Sequence, residues 1–82
     1  MKKGKAMAIE RHPVTGVELN PTVVERTALD FDDAVTAHLM RLKGEKFQTI
    51  AQKLGTNTFR VGEVLRGDVH PKAATEALRL VN

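Results

Sequence analysis

The chain contains no cysteine. That excludes disulfides, thiolate metal sites and a cysteine nucleophile, and it suits a reducing compartment. It also lacks tryptophan and tyrosine and has only three phenylalanines. An aromatic platform for stacking single-stranded bases is therefore not written into it. No apolar run approaches the roughly 18 residues of a membrane span. The start, MKKGKAMAIERHP, carries basic residues without the apolar stretch of a secretory signal behind them. A cytoplasmic protein with no membrane partner is expected. No nucleophile stands beside a plausible base and no glycine-rich phosphate loop is present, so no enzyme and no cofactor are expected. His12, His38 and His70 lack metal-ligand spacing, and no metal site is expected.

What the chain does have is clustered positive charge. The formal charge is +3 over 82 residues, with a sequence pI of about 9.6. Residues 1–12 carry net +3, residues 13–30 net −2, and residues 41–66, with six bases and two acids, net +4. Two basic segments in a chain long enough for one small domain suit a polyanionic partner, nucleic acid above all.

The N-terminal third reads weakly. Residues 1–8 are lysine-rich and aperiodic, the pattern of a basic arm. Lys2, Lys3 and Lys5 are candidates for contacting DNA from such an arm. In residues 9–21 the apolar Ile9, Val14, Val17 and Leu19 alternate with Pro13, Gly16 and Pro21. A short hairpin turning at PVTG and an irregular arm fit equally well. A hairpin there would have to dock on something to persist. Residues 21–29 could form a short helix with Asn20 as cap and Pro21 at its first position. Residues 1–29 are thus expected to precede a helical domain over 30–82.

From residue 30 the periodicity is helical. Asp30 reads as an N-cap, with Asp32 and Asp33 in the first turn, where the helix dipole favours acids. Phe31, Val35, Leu39 and Leu42 recur at helical spacing, and Gly44 marks a stop, predicting a helix over 31–43. His38, beside that apolar face, is expected to be half-buried and structural. A second helix is predicted over 46–54, with Phe47, Ile50, Ala51 and Leu54 inward. A third is predicted over 58–66, with Val61, Val64 and Leu65 inward. Pro71 opens a fourth, with Ala74, Ala77, Leu78 and Val81 inward. The fold class is all-α, a small domain of four to five helices preceded by an arm or short hairpin.

The stretch FQTIAQKLGTNTFRVGEVLRG (47–67) stops after about two turns, pivots on Gly55 and starts again. Two helices joined by so short a turn need a small residue where they meet, and Ala51 is there. They need a residue tolerant of positive φ in the turn, and Gly55 is there. They need branched apolar residues to hold the second helix, and Val61 and Val64 follow. From Phe47 to Arg66 this frame resembles the helix-turn-helix regulators of the phage repressor/Cro type, and the related resolvase-like domains.

The resemblance implies double-stranded DNA as partner, with the helix over 58–66 in the major groove. By position, Asn57, Thr58, Phe59, Glu63 and Arg66 would face the bases, with Arg60 beside them. Gln48 and Thr49 would meet phosphates at a helix N-terminus, and Lys53 would add charge. A unit of this size implies a homodimer on a two-fold site, with transcriptional repression or contact with RNA polymerase as the output. Val14, Val17, Leu19 and Leu80 are candidate dimer residues. Two features fit less well. Gly62 falls at a reading position without a side chain, and Glu63 carries negative charge towards a phosphate-lined groove. Both favour the alternative of a helix-turn-helix-fold module that binds protein, as antitoxins, anti-activators and adaptors do. Phe59 serves the core, a base contact or a partner interface in these readings.

Overall fold

The computed structural model describes residues 10–20 and 28–81. Among them are a two-stranded antiparallel hairpin, β1 (Glu10–Arg11) and β2 (Glu18–Leu19), and four helices. These are α1 (Phe31–Leu42), α2 (Phe47–Leu54), α3 (Thr58–Arg66) and α4 (Ala73–Val81). Lys2, Lys3 and Lys5, and nearly all of the short helix expected over 21–29, lie outside the described residues.

Helix α1 is central and packs against each of the other three. It begins where its sequence demands. The Asp33 N–H donates to Asp30 Oδ1 at 2.8 Å and the Asp30 N–H donates to Asp33 Oδ2 at 3.0 Å, a reciprocal capping box. A cap of this kind contributes about 1 kcal/mol. Its buried residues include Ala34, Val35, Ala37, Leu39 and Met40. Leu42, expected inward, is instead 55% exposed at the end of α1, although Leu39 and Met40 in the same turn are buried.

The hairpin is part of this helical body and not an arm in front of it. Glu10 pairs with Leu19 and Arg11 with Glu18. His12 organises the turn, accepting at Nδ1 from the N–H groups of Val14 (3.2 Å) and Thr15 (3.4 Å). Three contacts dock the hairpin. Leu19 is buried in the common core. The Asn20 N–H donates to the Lys53 carbonyl at the end of α2. Thr15 Oγ1 lies 2.6 Å from Thr36 Oγ1, whose own proton goes to the Asp32 carbonyl at 2.7 Å, so Thr15 is the donor. Leu29 is buried in the same core. The boundary expected at residue 29 therefore does not separate two packing units among the described residues.

The last helix is rotated from its expected face. Ala73 and Ala77 are fully buried, while Leu78 is 50% and Val81 54% exposed. The helix begins at Ala73, two residues after Pro71, and Ala74 is only partly buried. His70 bridges this region to the start of α1. It has a positive φ of 51°, bonds through Nε2 to the Leu29 carbonyl at 2.8 Å, and sets its ring edge-on to Phe31. No helix among the described residues is long and apolar enough to cross a membrane.

Candidate functional site

Helix α2 ends on Gly55 at φ 72°, and Asn57 restarts the chain as the N-cap of α3. The positive φ at Gly55 is the reason a glycine stands there, since a side chain in that conformation costs roughly 1–2 kcal/mol. Ile50, Ala51, Leu54, Val61 and Val64 are all buried, so the two helices meet along the expected seam. His38 of α1 reaches the Val64 backbone, and its burial pushes the imidazole pKa below its usual value.

The seam brings the N-terminal residues of both helices to one side. Gln48, Thr49 and Gln52 of α2 line an open concavity of about 430 Å³ together with Thr56, Asn57 and Thr58. Lys46, the N-cap of α2, makes no side-chain cap, so the first N–H groups of that helix are not closed off by it. Asn57 is committed in part, because its Oδ1 accepts the Arg60 N–H at 3.0 Å. Phe59, the second residue of α3, is 63% exposed. Its core role is thereby excluded.

The other candidates are not brought to this concavity. Arg60 lies over the Phe59 ring, 5.5 Å from its centroid, and bonds Glu63 Oε1 at 3.0 Å. Arg60 and Glu63 line a second, smaller concavity of about 130 Å³ facing Ala28 and Leu29. Lys53 sits on the hairpin side of α2, its ammonium 3.7 Å from Glu45. Arg66 pairs with Asp68 at 3.2 Å, with both side chains well exposed. Exposed pairs of this kind hold only weakly and can exchange for another anion. Phe47, expected inward, is 38% exposed, and Arg41 stands 5.3 Å above its ring. Gln52 was not expected at the concavity, and Thr56, an alternative to Asn57 as the cap of α3 on sequence, lines it while Asn57 caps. The spacing of Gln48 and Gln52, one helical turn apart, was the available signal.

Among the described residues, no group of three or more His, Asp or Glu could hold a metal ion. No family model matches the chain, and no curated protein or solved structure matches it.

Proposed function

We propose that α2, its glycine turn and α3 form a helix-turn-helix unit that binds double-stranded DNA. The supporting observation is the convergence of Gln48 and Thr49 from α2 with Asn57 and Thr58 from α3 on one open concavity. In this reading the start of α2 meets a phosphate through its N–H groups, with Gln48 and Thr49 as side-chain donors. Thr58 and Phe59 enter the major groove, Phe59 against a thymine methyl, while Asn57 fixes the start of the reading helix. Arg66 engages the backbone through its terminal nitrogens, while its Nε pairs with Asp68. Net +4 over residues 41–66 supplies attraction that does not depend on base sequence.

So small a footprint requires two copies to be selective, on half-sites about 34–36 Å apart. Of the dimer residues expected from the sequence, Leu19 is buried and Val17 partly so, while Val14 and Leu80 remain exposed. Leu78 and Val81 join Val14 on one face, which serves the second copy. The resulting regulator acts in the cytoplasm by occupying DNA or by touching RNA polymerase.

One observation favours a second reading, a protein-binding module. Phe59 is exposed beside a closed Arg60–Glu63 pair, and an aromatic flanked by arginine is a common interface anchor. The two readings separate by fluorescence anisotropy against random duplex and the chain's own upstream DNA at two salt concentrations. DNA binding predicts tighter association upstream, with a log–log salt slope of several units. Arg66→Ala lowers that slope by about 1. Absence of binding to either duplex at low salt rejects the DNA reading. A partner complex broken by Phe59→Ala then replaces it.

A further inference from the structure

Gly62 sits in the interior of α3, where glycine destabilises a helix relative to alanine. Its backbone does not call for glycine, because α3 is regular there and Gly62 is not among the residues with positive φ. It presents no surface either, since it is buried. What covers it is Arg66, one turn further on. A Cβ built on residue 62 would lie 3.0 Å from Arg66 Nη1, 3.8 Å from Arg66 Cζ and 4.0 Å from Phe47 Cε2. Helical side chains lean towards the N-terminus, so residue 66 naturally reaches back over residue 62.

We propose that Gly62 is a seat for the Arg66 guanidinium, holding it beside Phe47 so that it grips a phosphate of the DNA backbone at the start of α2. Asp68 orients the group from one side through Nε at 3.2 Å. Its Nη1 then lies over Gly62. Arg41 stands over the Phe47 ring as well, with its Nη1 donating to the Glu45 carbonyl at 2.9 Å. Gly62 lies between the Arg66 guanidinium and the edge of the Phe47 ring, next to the first residues of α2. That arrangement suits a phosphate, which arginine can hold with two parallel hydrogen bonds. Gly62 is in this view a positioning residue, and the reading position without a side chain is filled by its neighbour. The phosphate rests on the proposed DNA-binding function, whereas the seat does not.

The test is Gly62→Ala. The clash falls on the far end of a flexible side chain, so the protein folds and its melting temperature stays level or rises. Its affinity for duplex DNA nevertheless falls roughly tenfold, the worth of one charge-assisted contact, and its salt slope drops by about 1. Arg66→Ala gives the same loss, and adding Gly62→Ala to it costs nothing more. Wild-type affinity in Gly62→Ala, or an equal further loss on top of Arg66→Ala, overturns the proposal. A read-out independent of DNA is the Arg66 Nε–Hε resonance in a ¹⁵N spectrum. It is expected to be ordered in the wild type and averaged in Gly62→Ala. An averaged resonance in both removes the seat, whatever the protein binds. If the resonance behaves as expected and no duplex is bound, the proposed function fails and the phosphate grip fails with it.

Discussion

Helix α1 has two kinds of neighbour. Towards α2 and α3 the large aliphatic residues go inside: Ile50, Leu54, Val61 and Val64 are essentially inaccessible. Towards α4 only alanines do, and Leu78, Leu80 and Val81 stay largely outside. With Val14 and Leu42, Leu78 and Val81 line an apolar groove of about 310 Å³ between the hairpin turn, the end of α1 and α4. The contrast shows what an apolar period can and cannot specify. In α2 and α3 most of the apolar residues, Ile50, Ala51, Leu54, Val61 and Val64, share one seam, with Phe59 outside it, so that seam sets the orientation. In α4 two stripes compete, small Ala73 and Ala77 against large Leu78 and Val81. The small residues win, because they let the backbones of α1 and α4 approach closely.

Mutation should reproduce that asymmetry. Leu54→Ala removes a fully buried side chain between α2, α3 and the hairpin. It should lower unfolding stability by about 2–5 kcal/mol in urea titration. For a domain this small that approaches the whole of its stability. A loss under 1 kcal/mol would mean that the α2–α3 seam repacks freely and the contrast is false.

Acidification comes next and acts through the hairpin. Burial first, and then the nearby Lys43 ammonium, hold the His12 pKa below the usual imidazole value. Its Nδ1 accepts two backbone N–H groups, so a proton there would displace both. The unfolded chain takes up that proton more readily than the folded one. The stabilisation is therefore complete above about pH 6.5 and is lost as pH falls through the lowered folded value. His38, shifted the same way by burial, adds to the slope. His12→Asn keeps an acceptor next to Cγ without the titration. Its melting temperature between pH 7 and pH 5 should fall less than that of the wild type. Equal slopes would show that the hairpin is not tied down through His12.

The smallest effect is expected at the groove. Leu78→Gln in the monomer should change stability by no more than about 0.5 kcal/mol, since the side chain is 50% exposed. A concentration-dependent loss of melting temperature would instead show that a second copy covers this face, because an obligate partner makes stability depend on protomer concentration.

Much of the candidate site was legible locally. Gly55 in the turn, Asn57 as cap, Ala51 at the contact and the bounds of α3 all follow from backbone and capping requirements that act within one or two turns. The concavity partners Gln48, Thr49, Asn57 and Thr58 follow from the same frame. Arg60, Glu63 and Lys53 do not, because their positions depend on which oppositely charged partner each side chain finds and on what faces α3 from residues 28–29. Phe59 was open between core and surface for the same reason, as a helical period cannot say whether a neighbouring element covers that stripe.

The sequence by itself determined the helices, their stops and the α2–α3 junction, because caps, glycine φ and an unambiguous apolar stripe are local causes. Only the tertiary structure decided that the hairpin belongs to the helical body, that α4 turns its alanines inward, and that Arg66 lies over Gly62. Each of those depends on contacts between residues that are distant in the chain or that compete for one space. The competition is settled by the packing of the whole molecule, not by the pattern of any one segment.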